Sequence, residues 1–304
     1  MLTAVNTIMN RREWAMLVTL SVLWGGSFFF AEIALESLPP LTIVTLRVGL
    51  AAITLWLVVL ALKLPIPNST PIWIAFLTMG LLNNVLPFSL IVWGQSQISS
   101  GLAAILNATA PLFGVIVAGI LLRDESATPL KIMGVVVGFA GVIVMMDLSS
   151  IATSSLLAQL AILAAALSYA CASVYGRRFK ATGLNPILVA AGQVTGSTLL
   201  LLPIALWVDG NDPYANVPAQ VWAAIISLAV FSTAAAYILY FKLLASAGAT
   251  NILLVTLLVP VSAILLGWLF LKESLQTPHI IGMALIALGL SAIDGRLWRR
   301  ASET

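Results

Sequence analysis

The segment LLRDESATPLKIMG at residues 121–134 has a partner at 270–282, FLKESLQTPHIIG. Glu125-Ser126 and Gly134 in the first recur at the same spacing as Glu273-Ser274 and Gly282 in the second. Each copy also carries a Thr-Pro step, Thr128-Pro129 and Thr277-Pro278, which reads as a helix N-cap followed by proline in the first turn. A shift of 148 residues superposes Gly119, Glu125, Ser126, Gly134 and Gly141 on Gly267, Glu273, Ser274, Gly282 and Gly289. A shift near 146 sets Pro40 and Arg47 against Pro186 and Gln193. Matched Gly and Leu alone arise by chance between apolar helices. A polar pair, a Thr-Pro and glycines at fixed spacing do not. The sequence therefore reads as one unit used twice, over 1–150 and 151–304.

What surrounds the two islands is overwhelmingly apolar. Of 304 residues, 61% are hydrophobic and 8% charged. A soluble domain carries roughly 25% charged residues, so this chain cannot give a globule of its size a polar surface. A bilayer removes that need. Ten apolar runs have the length of a membrane-crossing helix: 14–31, 41–62, 72–93, 100–122, 129–147, 155–175, 186–208, 220–242, 249–271 and 278–296. Arg11-Arg12 precedes the first run as in a signal peptide. The run lacks a small-x-small cleavage site and is long enough to span, so it is expected to be a retained helix. With the N-terminus in the cytoplasm, twelve of the fourteen Lys and Arg fall on cytoplasmic segments, Lys272 falls outside, and Arg47 lies within a span. The net charge of +3 thus reflects topology and not a nucleic-acid surface. Both termini are expected inside. The lone Cys171 excludes an intramolecular disulfide.

Five crossings per unit is an odd number, so the two copies enter the membrane from opposite faces. The expected fold is all-α: ten transmembrane helices in two inverted five-helix repeats around a central cavity. Inverted halves exchange conformations, which supports alternating access at a midplane site. The doubled island cannot be one site, because its copies face opposite compartments. Glu125 and Glu273 instead sit near the N-terminus of the following helix, where negative charge is favoured.

The chain resembles the drug/metabolite transporter superfamily, and within it the EamA-type exporters. The residues that carry this are LWGGSFFFAEIAL at 23–35, Pro40 followed by Arg47, and the hinges Arg123-Asp124-Glu125-Ser126 and Lys272-Glu273-Ser274. It is most similar to the aromatic amino acid exporter branch. The resemblance implies a monomeric exporter of amino acids or related metabolites in the bacterial inner membrane. It also implies a cavity lined by the first, third, fourth, sixth, eighth and ninth helices, with the fifth and tenth outside.

Polar side chains within spans mark either a cavity or contacts between helices. Asn83, Asn84, Asn107 and Thr109 are expected to hold a carboxylate or amino group without fixed charge. Ser168, Tyr169, Ser232, Thr233 and Tyr237 are expected on the same cavity, the last two on one stripe. Trp24, mid-span, is expected either to pack or to stack on a flat substrate. Tyr175 and Tyr240 read equally as cavity or interfacial belt. Trp14, Trp73, Trp207, Trp222 and Trp298 read as belt anchors. Pro111 and Pro260 break paired helices, and with Gly94, Gly101 and Gly248 are the expected gating elements. Arg47 is expected to be structural, snorkelling outward or latching onto Glu32 or Glu36; a substrate-carboxylate contact is the other reading.

Substrate class follows partly from what is missing. No Asp or Glu lies mid-span, which argues against cationic drugs and against carboxylate-based proton coupling. Phosphate esters would need several cavity cations. A neutral or zwitterionic solute, most simply a large neutral amino acid, remains. No nucleotide loop or metal-ligand cluster occurs, so no cofactor is expected. An intramembrane enzyme is disfavoured: Ser27 has no partner, since the one histidine, His279, is near a surface, and HExxH is absent. A channel or facilitator is the alternative.

Overall fold

The computed structural model describes residues 9–98, 100–122, 128–144, 155–210, 217–271 and 277–294. Both Glu-Ser pairs, and Trp298, lie outside the described residues. Among the described residues the chain is helical with no strand. The helices are α1 (Arg11–Leu35), α2 (Pro40–Ala61), α3 (Thr70–Gln95), α4 (Ser100–Asn107, then Ala110–Leu121), α5 (Pro129–Val144), α6 (Leu156–Gly176, extended by Arg178–Thr182), α7 (Pro186–Val208), α8 (Ala219–Ala247), α9 (Ala249–Leu253, then Val255–Leu271) and α10 (Thr277–Asp294). Seven of them are long and apolar enough to cross a membrane; the apolar helices at 129–144, 249–262 and 280–293 are shorter.

Helix ends follow local chemistry. α1 starts at Arg11, earlier than its apolar run, because Asn10 and Glu13 form a capping box: Asn10 Oδ1 accepts from Arg12 N at 2.9 Å and Glu13 N at 3.0 Å, and Glu13 accepts from Asn10 N at 2.7 Å. Thr128 Oγ1 accepts from Lys131 N as an N-cap would, with Pro129 as the first helical residue. Gly248 joins α8 to α9 at φ +90°, a conformation that a side chain would strain.

The surfaces are inverted relative to a water-soluble protein. Leu57, Leu60, Leu157 and Leu199 are exposed, and Ile120 is 76% exposed. Small and polar residues, including Ala51, Ala103, Ala165, Ser173 and Ser197, are buried. Hydrocarbon tolerates the first set, and small residues let helices approach closely. The most extensive pairings join α5 to α10 and α2 to α7. In the first pairing, a Cβ at Gly134 would lie 2.6 Å from the Gly289 carbonyl oxygen, and one at Gly141 would lie 2.6 Å from that of Gly282. The two backbones therefore touch, and the crossed order of contacts makes the helices antiparallel. α2 and α7 are antiparallel too: Asp209, which follows α7, accepts from Thr42 N at 2.7 Å and Thr42 Oγ1 at 2.8 Å, capping the start of α2.

Two helices carry a π-helical stretch at mid-length, Leu81–Val85 in α3 and Val230–Ala235 in α8. Pro87 explains the first. It has no N–H for the Asn83 carbonyl four residues back, so the ladder must shift. α8 has no proline there; Thr233 Oγ1 instead donates to the Leu228 carbonyl five residues earlier, at 2.7 Å.

Candidate functional site

A cavity opens between α1, α2, α3, α4, α6, α8 and α9. Its lining includes Trp24, Ser27 and Phe28 of α1, Arg47 of α2, Asn83, Phe88 and Gln95 of α3, Asn107 of α4, Tyr169 of α6, Tyr240 of α8, and Thr256 of α9. It holds about 680 Å³ of atom-free space, mouth included. Tyr240, Ile252 and Thr256 at one end are buried, whereas Phe28 and Gln95 at the other are half-buried.

The two π-stretches stand beside it, and Asn83 of the first lines it. Arg47 of α2 reaches into the α8 stretch, Nε donating to Thr233 Oγ1 at 2.8 Å and Nη2 to the Ser232 carbonyl at 3.3 Å. Its guanidinium lies over the Phe88 ring, 3.7 Å from the centroid. Arg47 is 5% exposed and has no contact with Glu32 or Glu36, so the outward snorkel and the external latch are both corrected. On a membrane-insertion scale such a charge costs roughly 2.5–3.5 kcal/mol at mid-helix. The cation–π contact and two hydrogen bonds offset part of that. Gln193 of α7 occupies the corresponding place against the α3 stretch, where its Oε1 accepts from Asn83 Nδ2 at 3.3 Å. Phe88 and Tyr237 stack, with ring centroids 6.5 Å apart and 15° between planes.

Of the residues expected to bind substrate, Trp24, Asn83, Asn107 and Tyr169 line this cavity. Asn84, Thr109, Ser168, Ser232, Thr233 and Tyr237 do not; they stand behind its wall. The reason is the backbone. Ser168 Oγ donates to the Leu82 carbonyl at 2.7 Å, and Tyr237 OH to the Asn83 carbonyl at 3.2 Å and Asn84 Oδ1 at 2.9 Å. These hydroxyls satisfy the groups that the π-stretch releases. Ser232 Oγ ties α8 to the Leu23 carbonyl of α1 at 2.7 Å, and Thr109 Oγ1 bonds the Leu106 carbonyl at the break in α4. Asn107 Oδ1, Asn84 Nδ2 and Tyr240 OH are buried polar atoms without a protein partner.

Among the expected gating residues, Gly94, Pro111, Gly248 and Pro260 are not in the cavity lining. Gly94 is a packing position, since a Cβ there would lie 2.9 Å from Ile162 of α6. Gly101 lies in the first turn of α4, and Gly248 in the link between α8 and α9. Pro111 follows the break in α4 directly. Pro260 does not sit at the break in α9, which falls at Leu254; it lies inside the following helix. Sequence reasoning missed Ser27, Phe28, Phe88, Gln95 and Thr256. Aligning the starts of the two π-stretches, Leu81 and Val230, sets Phe88 opposite Tyr237.

The profile of the EamA-like transporter family matches residues 12–147 and 156–293. Curated relatives include the uncharacterized transporter YoaV of Bacillus subtilis, 24% identical over 277 residues, or 90% of this chain and 94% of that protein. Another is the S-adenosylmethionine/S-adenosylhomocysteine transporter of Chlamydia trachomatis serovar L2, 27% identical over 289 residues, or 89% and 85%. A solved crystal structure shares the fold with a TM-score of 0.75 at 18% identity, covering 95% of this chain and 99% of that one. With its long apolar helices and a family profile matched along nearly its whole length, the chain is a multi-pass membrane protein and belongs to the EamA-like transporter family.

Proposed function

We propose that the chain is a secondary transporter that exports amino acids, large neutral or aromatic ones foremost, or closely related metabolites. In this reading it works by alternating access across a bacterial inner membrane, as ten crossings in two inverted halves, 1–150 and 151–304, with both termini in the cytoplasm. The observation that carries it is the mated pair of contacts at the cavity. Arg47 against Ser232 and Thr233, and Gln193 against Asn83, are one arrangement made twice, once in each direction across the halves. The glycine contacts support the same symmetry: Gly134 meets the repeat mate of Gly141, and Gly141 meets the mate of Gly134. Reciprocal contacts of this kind are what a two-fold axis between equivalent helices produces.

The lining supports the substrate class. Among the described residues, aromatic faces of Trp24, Phe28 and Tyr240 surround a few amides and hydroxyls and one cation, with no acid. The chlamydial relative is named for two solutes that are themselves amino acid derivatives. The absence of a cavity acid supports transport down the solute's own gradient or by exchange, without a carboxylate proton relay.

The test is counterflow in proteoliposomes across a panel of amino acids. A carrier exchanges internal unlabelled solute for external label and saturates. Unsaturable flux without counterflow would make it a channel. Accumulation that occurs only under an imposed pH gradient would sink the proton-independent mechanism.

A further inference from the structure

We infer that Arg47 is the carboxylate-recognising residue of this cavity, so that the transported solute carries a free carboxylate. This rests on the transporter reading above and narrows it. The guanidinium is not used up by the fold. Its two hydrogen bonds go to a hydroxyl and a carbonyl, both neutral. Its other three N–H groups have no protein partner among the described residues, and it lines the cavity. Among the described residues, no Asp or Glu lines that cavity with it. A buried guanidinium with free donors and no counter-charge is a site for an anion.

The repeat supplies an internal control. Gln193, the mate of Arg47, makes the corresponding contact to the other π-stretch with a neutral amide. Bridging a helix to a π-stretch therefore does not require a charge. The charge at position 47 is an addition to the fold, present in one half and absent from the other. A planar fork of N–H groups matches a carboxylate. A phosphate dianion would leave charge unbalanced, since Arg47 is the one cation among the described residues of the lining. Asn107 lines the same cavity, and its Oδ1 is a buried acceptor without a protein partner. A solute whose carboxylate sits on Arg47 has Asn107 for an amino or amide N–H and the Trp24 and Phe28 faces for its body.

The experiment is counterflow of labelled phenylalanine in proteoliposomes, challenged with phenylalanine, phenylalaninamide and phenylacetate. For the wild type, phenylalanine and phenylacetate compete, and phenylalaninamide competes at least about ten-fold more weakly. Arg47→Gln, which copies the mate, abolishes that acid-over-amide preference; Arg47→Lys keeps part of it. A residue that only held the helices together would lower all fluxes and leave the preference intact. Equal competition by acid and amide in the wild type overturns the assignment, as does an unchanged preference in Arg47→Gln. If Arg47→Gln does not yield folded protein, the wild-type comparison decides alone. Should the wild type move no amino acid of the wider panel, the functional reading itself falls, and this assignment with it.

Discussion

Tyr237 shows how one side chain can look like a ligand and act as part of the backbone. Pro87 deprives the Asn83 carbonyl of its helical donor, and the Tyr237 hydroxyl replaces it from the other half of the protein. The same hydroxyl lies 2.9 Å from Asn84 Oδ1. Removing it by Tyr237→Phe leaves the carbonyl of Asn83 and the amide oxygen of Asn84, both on buried residues, without this donor. That costs about 1–3 kcal/mol, visible as a lower midpoint of thermal unfolding in detergent. Tyr240→Phe makes the contrast, because the Tyr240 hydroxyl has no protein partner to lose. It should unfold within error of the wild type. Equal midpoints for Tyr237→Phe and wild type would remove Tyr237 from this role. Sequence identified both tyrosines, along with Ser168 and Thr233, as polar groups that need an explanation. It could not separate a hydroxyl facing solute from one facing a carbonyl. That difference depends on where a π-stretch frees backbone groups, and in α8 no proline announces one.

Among the helices, the α5–α10 and α2–α7 pairs join repeat mates, but they tolerate change differently. At the first crossing glycine is needed for contact: a Cβ at Gly134 meets a backbone oxygen at 2.6 Å and a backbone nitrogen of Ile293 at 3.1 Å. Backbone cannot rotate away as a side chain can. Gly134→Val must push the helices apart, and overpacking of this kind costs typically about 1–3 kcal/mol. At the second, a Cβ on Gly49 would meet only the Thr198 methyl at 3.6 Å, an ordinary contact. Gly49→Ala is expected to be neutral. Unfolding midpoints of the two variants check this, and a Gly134→Val protein as stable as Gly49→Ala would contradict the close crossing. The spacing of Gly134, Gly141, Gly282 and Gly289 was legible in the sequence as a ruler for the repeat. That the four glycines touch one another was not, because periodicity gives each helix a face and says nothing of its neighbour. The Asp209 cap on α2 was hidden for the same reason: its two partners are 167 positions apart in the chain.

The whole molecule has two ends that the repeat makes equivalent in backbone and the sequence makes unequal in side chains. At the buried end of the cavity Tyr240 meets Phe241 edge-on at 5.1 Å between centroids, Phe241 meets Phe179 at 6.2 Å, and Phe179 meets Phe76 at 5.5 Å. Aligning the two π-stretches at Leu81 and Val230 sets Tyr237, Tyr240 and Phe241 of α8 opposite Phe88, Ile91 and Val92 of α3. Aromatic pairs contribute about 0.5–1.5 kcal/mol each beyond the area they bury. The end with the chain of rings is therefore expected to close more firmly than the Gln95 end. In the proposed topology the Gln95 end is the external one, so the resting transporter is expected to face outward. The bias lies in a handful of rings, and about 1.4 kcal/mol is a factor of ten in a population. Phe241→Ala breaks two of these contacts and should move the resting state inward. In a Cys171→Ala background, Gln95→Cys is expected to react on intact cells with a membrane-impermeant maleimide when no substrate is present. Adding Phe241→Ala should slow that reaction several-fold. An unchanged rate would mean that the rings do not hold the closed end. Labelling only after the membrane is opened would instead reverse the orientation, and the two results are read from the same cells.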